Sequence, residues 1–179
     1  MNKDKKNSTD SLSTVIFAQN LALNSPDIIN SKSLKLKNIC KECHGENVSP
    51  ELTWSGEPEG TKSFAVTIFD PDAPTGSGLW HWVVFNIPAD VKKLVENAGS
   101  RYKPLIPLGS IQTKNDHGDI GYTGPCPPQG TGTHHYKITV YALDSTMPFD
   151  GTATPTDIGE FIHFHLIEKA SLEGTYTNE

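Results

Sequence analysis

The stretch that decides the fold class is WHWVVFNI, residues 80–87, because it is dense in the aromatic and β-branched residues that favour strands. The segment HYKITVYAL, residues 135–143, has the same character, and Gly and Pro residues lie upstream of both segments. In SFAVTIF, residues 63–69, every second residue from the first Phe is apolar and lies on one face. Each segment predicts a strand, and we expect residues 80–87 and 135–143 to form the middle of the main sheet.

Weaker strand signals lie at residues 14–17 and 34–39, and a thin one runs through Gly174 and Tyr176. Near the C-terminus the pattern changes to helical spacing, after the capping and first-turn residues 154–157. The residues that recur at this spacing are Ile158, Phe161, Ile162, His165 and Leu166. We expect this stripe to pack on the sheet, with its histidine buried and hydrogen-bonded. The sequence therefore predicts a mainly β protein with a C-terminal α-helix.

Length and composition predict one soluble domain. The 179 residues suffice for a single core, whereas residues 1–12 are almost without apolar side chains and predict a disordered tail. No apolar run approaches the roughly 20 residues that span a bilayer, so no membrane span is expected. The net charge is -6 and the 15 Lys and Arg residues are scattered, which argues against a nucleic-acid partner.

The three cysteines, Cys40, Cys43 and Cys126, permit one disulfide with one thiol left over. Cys40 and Cys43 form a CxxC pair. A structural zinc site normally needs a second such pair or two well-spaced histidines, and a thioredoxin-like site needs a βαβ unit. Neither context is visible, so a zinc or redox role is not favoured.

Asp70 and Asp72 lie in the stretch DPDAP, where a predicted strand ends and two prolines fix the backbone. A carboxylate close to a histidine raises the imidazole pKa and favours the cation, which suits an anion-binding pocket. The alternative is structural, since aspartates at such positions also make turn contacts to backbone N–H groups.

His81 lies among bulky aromatic residues at the start of a predicted strand. Strict alternation places it with Val83 and Phe85 on one face, opposite a second set of side chains. That second set is Trp80, Trp82 and Val84. A histidine on an apolar strand face needs a partner, and the alternative to a binding role is a histidine satisfied by hydrogen bonds within the protein.

A Gly- and Pro-rich loop at residues 121–133 leads into the strand that carries His134, His135 and Tyr136. Alternation places His134 and Tyr136 on one face and His135 on the other. Such a loop can aim backbone N–H groups at an anion, although glycine spacing alone is a weak signal. With the histidine and the tyrosine hydroxyl it predicts a phosphate cradle.

Two segments, DPDAPTGSGLWHWVVFNIP (residues 70–88) and GPCPPQGTGTHHYKITVYALD (residues 124–144), resemble the two signature regions of the phosphatidylethanolamine-binding protein family. The short TGSG connection resembles the prokaryotic Raf-kinase-inhibitor-like branch. The likeness begins near residues 47–52 and extends through the C-terminal helix. It implies a central antiparallel sheet, a smaller second sheet and helices within one domain at residues 13–179. It also implies a pocket for phosphate, acetate or phospholipid head groups.

The resemblance also implies roles for individual residues. His81 and His134 would donate to the anion, Asp70 would orient a histidine and Tyr136 would add a hydroxyl. The residues that would shape the walls are Asp72, Pro74, Gly124 and Pro125. His117 and Asp119 replace a more apolar run in similar sequences, which affects ligand preference at the pocket mouth.

Cys43 and Cys126 resemble a cysteine pair of exported bacterial relatives, whereas Cys40 has no such counterpart. If the pair is bridged, the protein works in an oxidising compartment such as the periplasm; otherwise the cytoplasm is expected. The start, Met1 to Lys6, is basic enough for a signal peptide, but polar residues follow it.

Three functional hypotheses follow. The leading one is a binding protein for a small anion, without a metal or cofactor. The second, permitted by the resemblance, is an inhibitor of a kinase or protease that acts through a protein partner. The third is an enzyme, which is not favoured because no nucleophile or metal-ligand spacing is recognisable, so no catalytic residue is assigned.

Overall fold

The computed structural model describes residues 20–179, so the predicted tail at residues 1–12 and the predicted strand at 14–17 lie outside it. Two sheets, one α-helix and two short 3-10 helices make up the described chain. In chain order, the first elements are β1 (Ala22–Asn24), β2 (Lys32–Ser33), the 3-10 helices Leu36–Asn38 and Lys41–Cys43, and β3 (Leu52–Ser55). The elements that follow are β4 (Ser63–Asp70), β5 (Leu79–Pro88), β6 (Lys93–Leu94), β7 (Ile111–Gln112), β8 (Thr133–Leu143), α1 (Pro155–His165) and β9 (Leu166–Thr177).

The main sheet has the order β2-β9-β8-β4-β5-β7, and the small sheet has the order β1-β3-β6. All pairs are antiparallel except the short parallel pair of β2 with β9. The predicted mainly β class, with a second sheet and a C-terminal helix, is confirmed. The three strongest predicted strands are present, and β4 lies between the two that were expected at the centre.

Both faces of the main sheet are covered over much of their area. One face packs against the small sheet around large side chains such as Trp54, Phe64 and Trp82. The other face packs Ala65, Val83 and Phe85 beneath α1. Because β4 and β5 are buried from both sides, they read as nearly continuous apolar runs, and the sequence signal for them is strong.

The helix begins as its capping residues predict. Thr154 accepts a hydrogen bond from the backbone N–H of Asp157, whose carboxylate accepts from the Thr154 N–H in return. Ile158 and Ile162 are buried on the sheet. His165 does not fit the predicted burial, because its side chain is 35% exposed at the last helical residue, where it pairs with Asp144 at 2.8 Å.

Two strand predictions differ from the structure. Residues 34–39 contain a 3-10 helix, Leu36–Asn38, with Leu36 exposed and the Asn38 amide donating to the Val48 carbonyl. Leucine and lysine alternate at residues 34–37, but the two leucines do not share a buried face, since Leu34 is buried and Leu36 is exposed. The predicted short strand at residues 174–176 is part of β9, which spans Leu166–Thr177 and pairs along β8. Most of its side chains are exposed or half-exposed, so the hydrophobic signal is weak.

Among the residues described, no helix is long and apolar enough to cross a membrane. Cys43 and Cys126 form a disulfide with their Cα atoms 5.5 Å apart, in agreement with the pairing that the resemblance implies. It joins the second 3-10 helix to the loop before β8. Cys40 is a buried thiol next to this crosslink in sequence.

The disulfide is expected to contribute to stability because it crosslinks residues 83 positions apart. Replacing Cys43 and Cys126 together by Ala should lower the free energy of unfolding by about 2–5 kcal/mol, measured by denaturant titration. Dithiothreitol should destabilise the wild type by a similar amount and leave the double variant unchanged. Equal stability of the oxidised wild type and the double variant would contradict this assignment.

Candidate functional site

A β-bulge in β5 decides where His81 lies. Ile68 pairs with Trp82 and Phe69 pairs with Trp80, so β5 has one extra residue, His81, opposite this step of β4. Trp80 consequently packs on the helix side of the sheet, and the ring of His81 lies 5.2 Å from that of Tyr136 on the other side. The faces predicted by strict alternation are therefore wrong at Trp80 and His81, because the bulge shifts the register between them.

His81 is fixed by Thr123 through two backbone groups. Its ring Nδ1 lies 2.7 Å from the Thr123 carbonyl oxygen, and the Thr123 N–H donates to the His81 carbonyl at 3.0 Å. Since a carbonyl only accepts, Nδ1 carries the proton and Nε2 is the acceptor of the neutral ring. Nε2 makes no hydrogen bond to any residue in the range 20–179.

Burial lowers the pKa of His81 to about 4, against the weaker opposite effect of the Thr123 hydrogen bond. The nearby His117 and His134 also lower this pKa, and Asp70 raises it. The ring is therefore neutral at neutral pH. The expectation of a cationic pocket does not hold for this histidine, because desolvation outweighs the carboxylate.

Asp70 and His134 form a buried pair at the end of β4 and the start of β8. Nδ1 of His134 lies 2.7 Å from one carboxylate oxygen of Asp70, and the other oxygen accepts the N–H of Asp72 at 2.8 Å. The Thr131 hydroxyl lies 2.9 Å from Nε2 of His134. The geometry is thus the one expected of an aspartate that orients a histidine, and Asp70 also makes the turn contact considered as its alternative.

Tyr136 has a buried hydroxyl without a hydrogen-bond partner in the described part of the chain. Burial, and after it the negative charge of the nearby Asp70 carboxylate, raise the pKa of this phenol above its usual range, so the hydroxyl keeps its proton and is a donor. An unpaired buried polar group costs about 1–3 kcal/mol, and such a group in a native protein is a signal of a ligand or solvent site.

These residues share a cavity of about 280 Å³ whose walls are mainly apolar. Its lining residues are Asp70, Ala73, Pro74, Thr75, Leu79, His81, His117, Cys126, Pro127, Pro128, His134 and Tyr136. Five of the eight predicted site residues are among them. A larger open groove of about 470 Å³ crosses the opposite face of the sheet, but hydroxyls there already pair with each other, as Thr139 does with Ser171 at 2.8 Å.

The other three predicted residues do not line the cavity. Asp72 accepts from both the backbone N–H and the ring Nδ1 of His135, on the other face of β8. Gly124 packs so closely on residues 38–40 that a Cβ there would lie 2.4 Å from the Asn38 carbonyl oxygen. The carbonyl of Pro125 accepts from the Cys40 N–H at 3.1 Å. Gly124 and Pro125 therefore hold the loop in place and do not form its inner surface.

Two residues that sequence reasoning did not assign to the site position it. Thr123 acts through its backbone carbonyl, which carries no residue-type signature. Asn115 is buried, and its amide donates to the carbonyl oxygens of His81 and Gly121 and to the Thr123 hydroxyl. Its side-chain oxygen accepts the N–H of His117, whose ring lies 5.0 Å from that of His81 at the mouth. The sequence alone shows only an asparagine in a turn segment, and the burial that marks its role is visible only in the structure.

In the part of the chain covering residues 20–179, no group of three or more His, Cys, Asp or Glu side chains is arranged to hold a metal ion. Among these residues, Asp70 and His134 pair with each other and with neighbouring groups, whereas the Tyr136 hydroxyl, Nε2 of His81 and the ring nitrogens of His117 have no hydrogen-bond partner.

The protonation of His81 can be measured directly. We expect ¹⁵N NMR of the imidazole to show a neutral ring with Nδ1 protonated from pH 8 to below pH 5, because burial lowers its pKa to about 4. Since the unfolded ring titrates near about 6.5, this residue should lower the stability of the fold as pH falls from there toward 4. Thr123→Val keeps the accepting carbonyl and should preserve the tautomer. A His81 that titrates at or above its ordinary value would contradict this description.

Comparison with known proteins agrees with this architecture. The family model described as phosphatidylethanolamine-binding protein matches residues 24–177. The UPF0098 proteins YbcL and YbhB of Escherichia coli are 49% and 47% identical over 135 and 134 residues, covering 75% and 74% of this chain and 74% and 84% of theirs.

Solved structures show the same fold. The crystal structure of Escherichia coli YbcL, described as a member of the mammalian PEBP family, has a TM-score of 0.86 at 42% identity and covers 89% of this chain and 99% of its own. A PEBP homologue from Chlamydia trachomatis has a TM-score of 0.76 at 30% identity, covering 90% of this chain and 99% of its own. This chain belongs to the phosphatidylethanolamine-binding protein family.

Proposed function

We propose that this protein binds a small molecule with an acidic head group, phosphate or carboxylate, in the cavity formed by Asp70, His81, His134 and Tyr136, and that it is not an enzyme. The observation that carries the proposal is the buried Tyr136 hydroxyl, a donor without a partner among the described residues. It lies beside two imidazole rings that line the same cavity. An anionic oxygen is the acceptor that such a donor lacks.

The walls support a ligand with an apolar part behind its head group. The lining combines a few polar side chains with the apolar surface of Pro74, Leu79, Pro127 and Pro128. Small-molecule sites of this kind combine apolar walls with a few placed polar groups. A phosphate ester or a carboxylic acid with a short organic substituent fits this division.

One arrangement would favour an enzyme, because Thr131, His134 and Asp70 form a chain of hydrogen bonds with the connectivity of a hydrolytic triad. The Thr131 hydroxyl, however, also lies 2.7 Å from the Pro128 carbonyl oxygen, which can only accept its proton. A hydroxyl committed in this way is not activated by His134. This geometry supports binding over catalysis.

We also propose an oxidising compartment, such as the periplasm, as the place where the protein works. The Cys43–Cys126 disulfide supports this, because such crosslinks persist in oxidising surroundings and are rare in the cytosol. Inhibition of a kinase or protease stays a prediction from the family resemblance, and no feature of the described residues identifies the partner.

Tyr136→Phe tests the proposed function. Removing the hydroxyl should weaken the binding of phosphoethanolamine about tenfold in calorimetric titration, because one hydrogen bond to a charged group is lost. The same change should raise the free energy of unfolding by about 1 kcal/mol, since it removes an unsatisfied buried group. His134→Ala should abolish measurable binding.

Tyr122→Phe is the matched control. Its hydroxyl is also buried but donates to the Asn38 carbonyl at 2.5 Å, outside the cavity. This variant should lose about 1 kcal/mol of stability and keep its affinity. The proposal is wrong if the wild type binds neither phosphate nor phosphoethanolamine at any pH, or if the two phenylalanine variants bind equally well.

A further inference from the structure

We infer that the cavity takes its ligand in a proton-carrying form, the singly ionised phosphate group or the undissociated carboxylic acid, so that binding of the anion is coupled to uptake of one proton. This inference rests on the proposed function. It names which form of the acidic head group the site accepts. Four features of the cavity carry it: the tautomer of His81, the bonds of His134, the Tyr136 hydroxyl and the balance of charge.

The first feature is the orientation of His81. Its Nδ1–H is committed to the Thr123 carbonyl at 2.7 Å, so the nitrogen left for a ligand is Nε2. In the neutral ring this atom has a lone pair and no proton. A fully ionised phosphate or carboxylate oxygen would face that lone pair without a proton between them. A ligand O–H would donate a hydrogen bond to the Nε2 lone pair. If the proton passes from the ligand to Nε2, the hydrogen bond between the two atoms is kept, with Nε2 as its donor.

The second feature is the position of the Thr131 hydroxyl between two acceptors. It lies 2.7 Å from the Pro128 carbonyl oxygen and 2.9 Å from Nε2 of His134. A hydroxyl has one proton, and the carbonyl cannot donate. When Thr131 donates to the carbonyl, the hydrogen bond between Thr131 and His134 needs the proton on Nε2 of His134, on the side of the ring opposite the Nδ1–Asp70 contact. His134 can then donate to a ligand oxygen in place of Thr131.

The third feature is Tyr136, which can donate to a second ligand oxygen. The inner part of the site therefore offers two donors, on His134 and Tyr136, and one acceptor, on His81, while the ring of His117 lies at the mouth. Doubly ionised phosphate and sulfate have only acceptor oxygens, whereas hydrogen phosphate monoanion has acceptors and one donor. The hydrogen-bonding pattern of the monoanion matches the three groups, and that of the dianion leaves His81 unmatched.

The balance of charge points the same way. The groups that face His81 are Asp70 from β4, His134 and Tyr136 from β8, and His117 from the turn at residues 115–119. The Asp70 carboxylate already lies 2.7 Å from the ring of His134, so a proton charge on that ring is paired within the protein and is not free for a ligand. Partial desolvation lowers the pKa of His117, so this ring is mainly neutral at neutral pH. A second ligand charge would thus enter a buried site without a counter-charge.

The test is calorimetric titration of the full chain with inorganic phosphate at pH 8.5, in buffers of different ionisation enthalpy. The dependence of the observed heat on the buffer gives the number of protons taken up. Phosphate is almost entirely doubly ionised at this pH, which lies well above the second pKa of about 6 in esters and also above that of the inorganic ion. We expect close to one proton per site. Above pH 8 the affinity should fall about tenfold per pH unit.

Sulfate is the matched probe, because it has the shape of phosphate but does not carry a proton near neutral pH. Wild-type protein should bind it at least tenfold more weakly than phosphate. His81→Gln, whose amide can donate, should take up no proton and should bind the two anions with similar affinity. Circular dichroism would verify that this variant is folded. The measurement of proton uptake by the wild type does not require the variant.

The outcomes separate the two claims. Phosphate binding with no proton uptake, and with sulfate bound as tightly, would overturn this inference and leave the proposed anion-binding function standing. Binding of neither anion between pH 5 and 8 would overturn both. Uptake of one proton together with discrimination against sulfate, both lost in His81→Gln, would support the inference.

Discussion

The extra residue in β5 is the constraint on which the cavity depends. Without a bulge at His81, alternation along the strand would turn this ring to the helix side of the sheet, away from Asp70 and Tyr136. The bulge is held by pairing on both sides: Phe69 and Ile68 fix the strand, and Thr123 bonds the peptide and the ring of His81. The sheet thus supplies rigid walls, and the bulge at His81 supplies a polar group where the ligand is expected.

The loops around the sheet keep that polar group in place. Asn115 donates to the backbone carbonyl of His81 in β5 and to that of Gly121 in the following loop. The disulfide of Cys43 with Cys126 ties the Pro-rich rim to the first half of the chain. Polar groups in an apolar interior are costly unless they are paired, and nearly all of these are. Two of the exceptions, the Tyr136 hydroxyl and Nε2 of His81, lie in the cavity itself. Binding would satisfy a group that folding leaves unpaired.

Much of this arrangement could be predicted from the sequence, and the failures have physical causes. The strand at residues 63–70 was predictable because burial from both sides makes its pattern nearly continuous. Strand β9 gave a thin signal because most of its side chains remain partly exposed beside the two-residue strand β2. The face of His81 depends on the register with a partner strand, which no local pattern contains. Thr123 works through its carbonyl, so its residue type gives no indication of its role.

The histidines of this protein provide the most direct measurement, because His81 and His134 line the cavity whereas His165 lies at the end of the helix and pairs with Asp144. Imidazole NMR of the wild type during titration with phosphate reports on all three at once. We expect the ring signals of His81 and His134 to shift together and to saturate at one equivalent, while that of His165 does not move. Shifts confined to His165, or no saturable shift at His81 and His134, would contradict ligand binding in this cavity.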